Sequence, residues 1–278
     1  MTDVDGRVVL ITGAASGIGR LLAGELARRG ARLALWDLDT ERLADVRSDI
    51  AALIGREPAV YGCDVSDRHA VADTAARVRA EVGEVDVLVN NAGVVSGRYL
   101  VDLPDEKIEQ TFAVNTLALY WTTKAFLPSM IDRGRGHIVT IASAAALVGV
   151  AKQTDYSASK HAAFGFDESL RVELARTAPS LVTTVVCPFY IDTGMFAGVK
   201  TRVPLLLPIL RPDDVARKIA RAIERDRRVL VMPPLLRVLP AMRVLPPRAF
   251  DAMMNLFGVN RTMDDFVGRT EPVGPRQG

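Results

Sequence analysis

Seven short, almost wholly apolar runs recur along the chain, and each of the first six is followed by a longer segment with Ala, Leu, Arg and Glu at helical spacing. The runs are RVVLIT (7–12), ARLALW (31–36), PAVYGC (58–63), VDVLVN (85–90), GHIVTIAS (136–143), SLVTTVVC (180–187) and RRVLVM (227–232). A strand with one wet face alternates apolar and polar residues. A strand that is apolar throughout is buried on both faces, as in a parallel sheet covered by helices. Seven strands and six helical crossovers therefore predict a Rossmann-type, doubly wound α/β fold: a parallel sheet of seven strands with helices on both faces. No Ser/Gly-rich linker or internal repeat interrupts it, so residues 1–232 are expected to form one catalytic and nucleotide-binding unit. Beyond Met232 the alternation stops, and residues 233–278 form an apolar, basic extension expected to pack on the same unit.

Composition agrees with this class. A chain of 278 residues with 49% hydrophobic content can bury roughly three quarters of its unfolded surface. Charge is split along it. Residues 1–196 carry 20 Lys/Arg against 25 Asp/Glu, whereas residues 197–278 carry 15 against 8, so an anionic partner suits the second part better than a cationic one. Cys63 and Cys187 are far apart and in no CxxC arrangement, which predicts buried thiols rather than a disulfide or zinc site. His69, His137 and His161 do not cluster, and no metal is expected. The N-terminus lacks a basic segment followed by an apolar one, and no run approaches the ~18 apolar residues of a spanning helix. The expectation is a cytoplasmic protein, soluble or peripheral at a membrane, with no nucleic-acid partner.

The first apolar run leads into TGAASGIG, Thr12 to Gly19, which opens a helix. Glycines allow a tight turn and let backbone N–H groups approach a pyrophosphate, and the helix N-terminus adds partial positive charge. Gly13, Ser16, Gly17, Ile18 and Gly19 are the candidate dinucleotide-binding residues. Asp37 ends the second run, where a carboxylate accepts adenosine ribose hydroxyls and repels a 2′-phosphate. With no Arg or Lys at Ser16 or Leu38, NAD is the expected cofactor. Asp39 or Thr40, directly before ERLADV, is better placed than Asp37 to cap the next helix.

Ser143 closes the fifth run, and Tyr156 and Lys160 follow in YSASK. The i, i+4 spacing puts phenol and ammonium on one helical face. A phenol is a poor base at neutral pH, but a neighbouring ammonium and an oxidised nicotinamide both favour phenolate, so Tyr156 could take a hydroxyl proton as hydride leaves.

Together, TGAASGIG, the NNAG of Asn90 to Gly93, Asn115, Ser143 and the Tyr156/Lys160 pair resemble the short-chain dehydrogenase/reductase family in order and spacing over about Arg7 to Met232. That resemblance implies Asn115, Ser143, Tyr156 and Lys160 as the catalytic set, with Asn115 anchoring a water that links Lys160 to solvent. It implies Asp64 and Val65 at the adenine, and Asn90, Asn91, Ala92 and Gly93 beside the cofactor. Lys160 would bind the nicotinamide ribose, with Pro188, Ile191 and Thr193 contacting the cofactor after the sixth strand. It also implies a homodimer or homotetramer formed through helices over about 105–131 and 155–178. Phe189 departs from the family's usual Pro-Gly. The CPF and DTGMF segments, LALWD and the apolar tail look like the subgroup that contains retinol and hydroxysteroid dehydrogenases.

The segment after the sixth strand is expected to close over the substrate as a lid at about 192–212, with Leu205, Leu206, Leu207, Ile209 and Leu210 lining an apolar pocket. In the tail, Arg237, Arg243 and Arg248 are spaced to lay their stems on apolar surface and reach lipid phosphate; a dimer contact or a cover for the bottom of the sheet is the alternative. The function these readings imply is NAD-dependent interconversion of a hydrophobic alcohol, whether retinoid, steroid or long-chain, and its carbonyl. A ketoacyl reductase of fatty-acid metabolism and a catalytically idle nucleotide- or lipid-binding scaffold are the alternatives.

Overall fold

A computed structural model of the chain describes residues 1–268. All seven apolar runs are strands: β1 Val8–Thr12, β2 Arg32–Asp37, β3 Ala59–Gly62, β4 Val87–Asn90, β5 His137–Ile141, β6 Val182–Pro188 and β7 Val229–Met232. They form a single sheet in the order β3-β2-β1-β4-β5-β6-β7, every pair parallel. The order reverses between β1 and β4. Strand ends diverge at such a switch point and leave a crevice beyond their carboxyl ends.

The period of two along β1 shows why the strands are apolar throughout. Val9 and Ile11 pack with Leu22 and Leu26 of α1 (Gly17–Ala27), with Leu43 and Val46 of α2 (Thr40–Ile54) and with Ile219 and Ile223 of α7 (Pro212–Glu224). Val8 and Leu10 point the other way, toward Val71 and Val78 of α3 (Arg68–Glu81), Phe126 of α5 (Ala118–Asp132) and Leu170 of α6 (Thr154–Thr177). Each large aliphatic side chain so buried contributes about 1.5–3 kcal/mol, and a polar residue anywhere from Val8 to Ile11 would face a dry core on whichever side it pointed. Asp39 caps α2 by accepting from the Arg42 N–H at 3.0 Å, so Asp37 is left for another task.

Two further elements shape the crevice. α4 (Asp105–Phe112) runs into a wide turn at Ala113–Leu117 before α5. The fifth strand ends at Ile141, two residues earlier than its apolar run suggests, and Ser143 instead caps a short 3-10 turn at Ala144–Ala146, its Oγ accepting from the Ala145 N–H at 3.1 Å.

The tail adopts α8 (Leu239–Met242), α9 (Pro247–Leu256) and short 3-10 turns at Pro234–Val238 and Val259–Arg261. Leu236, Leu239, Met254 and Val259 pack against Val148, Val185, Cys187 and Val231. The tail thus covers β6, β7 and the cleft end of the sheet, not its bottom. Residues 269–278, the remainder of the extension, lie outside the described residues. Among the described residues no helix is long and apolar enough to cross a membrane, and both cysteines are free and buried.

Candidate active site

A cleft of about 320 Å³ opens at the switch point and runs from the glycine turn to the start of α6. At its nucleotide end, Gly13, Ser16, Gly17, Ile18, Asp37, Asp64, Val65, Asn91, Ala92 and Gly93 all line the wall. Asp37 draws the glycine turn onto β2. One carboxylate oxygen accepts from the Ala15 N–H at 2.8 Å, and the other accepts from the Asp39 N–H at 3.1 Å.

Gly19 and Asn90, two of the expected cofactor residues, do not line the cleft. A Cβ at Gly19 would sit 2.1 Å from the Gly13 carbonyl oxygen, so its absence lets α1 start directly against the turn. Asn90 is buried behind the cleft, where its Oδ1 accepts from Thr122 Oγ1 at 2.7 Å. Asn91 instead ties the turn to β4, its Nδ2 donating to the Thr12 and Gly13 carbonyls at 2.9 and 3.0 Å. Cys63, expected simply as a buried core residue, is buried and also reaches the cleft wall with Leu38.

At the other end, α6 presents Tyr156 and Lys160 one turn apart, and Ser143 lies across from them. Lys160 Nζ donates to the Ile141 carbonyl at 2.9 Å and sits 5.7 Å from the Tyr156 ring centroid. Burial pulls the Lys160 ammonium down to about 8. Burial pushes the Tyr156 phenol well above its ordinary value, and hydrogen bonding to Ser143 opposes that push. Burial thus favours the neutral phenol at Tyr156.

Asn115 does not line the cleft either. It is buried in the wide turn after α4, where its Oδ1 accepts from the Val94 N–H at 2.8 Å and its Nδ2 donates to the Val94 carbonyl and Ser159 Oγ at 2.9 and 3.0 Å. Gly93 lies close to both it and Lys160: a Cβ there would be 3.3 Å from Asn115 Oδ1 and 3.5 Å from Lys160 Nζ.

Pro188, Ile191 and Thr193 line the cleft just beyond β6. The apolar wall here differs from expectation. Leu205, Leu206, Leu207, Ile209 and Leu210 are absent from it: Leu205 is 92% exposed, Leu207 is buried with the tail, and Leu210 bridges back to Ile191. The wall is made by Val148, Val150, Phe189, Tyr190, Met195 and Phe196, with Val259 from the tail. No local pattern marked Val259, because it reaches the cleft only through the path of the tail. Among the described residues no group of three or more His, Cys, Asp or Glu is placed to hold a metal.

A sequence model of the short chain dehydrogenases matches residues 7–203. The chain belongs to this family. It is 44% identical over 269 residues to epidermal retinol dehydrogenase 2 of Mus musculus, covering 96% of the chain and 87% of that protein. It is 45% identical over 295 aligned residues to retinol dehydrogenase 10 of Homo sapiens, covering 96% and 86%. Among solved structures, a short chain dehydrogenase/reductase from Burkholderia phymatum in complex with NAD superimposes with a TM-score of 0.79 at 28% identity, covering 99% of this chain and all of that one. An alcohol dehydrogenase from Thermococcus sibiricus complexed with 5-hydroxy-NADP gives 0.72 at 30% identity, covering 82% and 95%. This short-chain dehydrogenase is accordingly an oxidoreductase of the alcohol dehydrogenase type.

Proposed function

We propose that this short-chain dehydrogenase interconverts a hydrophobic alcohol and its carbonyl with NAD, using Tyr156 as general base in oxidation and general acid in reduction. The observation that carries the reading is one cleft in which a glycine turn and the Asp37 carboxylate lie at one end and Ser143, Tyr156 and Lys160 at the other, beside an apolar wall. The glycine turn leaves backbone close to where a pyrophosphate would sit. Asp37, with spare lone pairs on both oxygens, suits ribose hydroxyls and repels a 2′-phosphate. When bound, the oxidised nicotinamide accepts hydride and supplies a positive charge beside Tyr156.

The chain's own residues do the rest. Ser143 donates to the reacting oxygen and orients the alcohol for Tyr156, which removes its proton. Lys160, on the same helical face, binds the ribose and stabilises the phenolate, and Asn115 ties the wide turn to Val94 beside it. The hydrocarbon wall offers few hydrogen bonds, so affinity comes from burial at about 0.8 kcal/mol per CH₂. The names of the two retinol dehydrogenases support a retinoid or another lipid-like alcohol. The test is a panel of retinol, hydroxysteroids and long-chain alcohols with NAD and with NADP, followed by NADH or NADPH absorbance. Reduction of NAD by at least one of them is expected; turnover with NADP alone would overturn the cofactor reading.

Two associations follow from surface chemistry. Leu117, Tyr120 and Val172 leave apolar surface at α5 and α6, and a second copy of the chain fits there; light scattering should show a dimer or tetramer. In the tail, Arg243 is exposed yet tied to the protein, donating to the Leu147 carbonyl at 3.1 Å and contacting His161 at 2.9 Å. Arg237 and Arg248 remain exposed near Leu235, Val238, Val244 and Leu245 in the chain. That segment suits a peripheral contact between a cytoplasmic enzyme and an anionic bilayer. Co-sedimentation with phosphatidylserine vesicles at low salt is the check.

A further inference from the structure

Lys152 stands two residues before α6 with a left-handed backbone, φ 63°, a conformation that a side-chain-bearing residue keeps only where its surroundings over-determine it. Its ammonium donates to two tail carbonyls, Met263 O and Asp264 O, each at 3.2 Å, and lies 5.1 Å from the Tyr99 ring centroid. Three segments remote in sequence therefore meet at one cation.

The tail turn held by Lys152 is fastened at other points too. Thr262 Oγ1 and Tyr190 Oη share a hydrogen bond of 2.8 Å, and the Val267 N–H donates to the Ala197 carbonyl at 2.9 Å. The ring of Phe266 fills the space over Gly97, φ 69°, where a Cβ would fall 2.0 Å from it. From this turn Val259 enters the cleft wall directly. Phe266 lies 6.3 Å from Phe196, whose ring is in turn 5.7 Å edge-on to Tyr156. A continuous row of rings thus joins the tail to the catalytic phenol.

We propose that Lys152 is a positioning residue that latches the tail turn 259–267 against the substrate end of the cleft, and that this turn, through Val259 and Phe266, determines which alcohols are accepted by size. The inference rests on the alcohol dehydrogenase reading above. A bulky apolar alcohol draws binding from the latched wall, whereas a small one that does not reach the wall gains nothing from it.

The test uses the full chain with retinol and cyclohexanol as probes, and the variants Lys152→Met, Lys152→Arg and Gly97→Ala. Lys152→Met should raise KM for retinol by roughly tenfold, the scale of a lost charge-assisted hydrogen bond, with kcat and the cyclohexanol constants little changed. Lys152→Arg should restore most of the difference. Gly97→Ala, which forces Phe266 off its seat, should reproduce the defect from the opposite side and serves if Lys152→Met does not fold. An unchanged ratio of kcat/KM for retinol over cyclohexanol, or a lower retinol KM, overturns the proposal. Limited trypsin digestion gives a readout independent of turnover: the tail should be cut faster in Lys152→Met than in the wild type or Lys152→Arg, and equal rates also overturn the latch. If the wild type oxidises neither probe, retinol is excluded as the substrate and the digestion alone decides the latch.

Discussion

The two ends of the cleft are built in opposite ways. At the nucleotide end the wall is built on strand ends: the turn at Gly13–Gly17, the Asp37 carboxylate that braces it, and Asn91 bonded to the carbonyls of Thr12 and Gly13. These residues sit at the ends of adjacent strands, so the sheet itself sets their spacing. At the substrate end the wall is side chain, drawn from the loop before α6, the segment after β6 and a turn more than sixty residues further on. Nothing in the sheet register holds those pieces together; a few hydrogen bonds and a row of aromatic rings do. A site set on strand ends is tied to the fold, whereas a wall drawn from loops and the tail can be changed piecemeal without unfolding the sheet.

The largest expected effect tests the point where the two ends join. Tyr156→Phe should lower turnover by about 10²–10⁴-fold, the usual contribution of a positioned acid or base, while NADH fluorescence titration shows nearly unchanged affinity. Retention of wild-type turnover would remove Tyr156 from the chemistry.

A second prediction lies outside both ends. His137 is wholly buried at the start of β5, between Thr2 at 3.0 Å and Thr184 at 2.7 Å. Burial lowers it to about 4, against the opposing pull of Asp226. Because the unfolded chain binds the proton more readily, this stability is present above about pH 6.5 and is lost as pH falls toward 4. The loss amounts to roughly 3 kcal/mol. Urea unfolding across that range should show a steeper acid loss in the wild type than in His137→Gln. Parallel slopes would mean that another group governs the acid limb.

The remaining two predictions separate the ends. Asp37→Ala should weaken NAD by about 1.5–3 kcal/mol, as for a hydrogen bond to a charged group, and relax discrimination against NADP without altering the preference among alcohols. Phe196→Ala should do the reverse: selectivity among alcohols shifts by about 0.5–1.5 kcal/mol, the scale of one aromatic contact, with the NAD/NADP ratio constant. Steady-state kinetics with both cofactors and two alcohols measures all four ratios. A variant that moved both kinds of selectivity together would show that the ends are coupled.

How much of this was legible beforehand follows the same division. Seven apolar runs became seven strands, because burial on both faces leaves no other composition for a central parallel strand. The glycine turn, Asp37 and the Tyr156/Lys160 pair were readable because each is local, a few residues on one turn or one helix face. Gly19 was read as a cofactor contact from the glycine turn and Asn90 from the family resemblance; in the structure one serves helix packing and the other a buried hydrogen bond behind the cleft. The leucines of 205–210 were read as pocket because they are apolar, but hydrophobicity alone does not say which surface a side chain meets. Spacing alone did not show that Arg243, though exposed, bonds to the Leu147 carbonyl and His161.

The sequence by itself determined the sheet, its parallel sense and the cluster of groups at the ends of β1, β2 and α6, since periodicity and i, i+4 spacing are local consequences of backbone geometry. Tertiary structure alone decided that the tail folds back as part of the cleft. It did so by placing Val259 in the wall, Phe266 over Gly97 and two carbonyls on Lys152. Contacts between segments this far apart depend on the path of the whole chain, and no residue pattern within either segment encodes its partner.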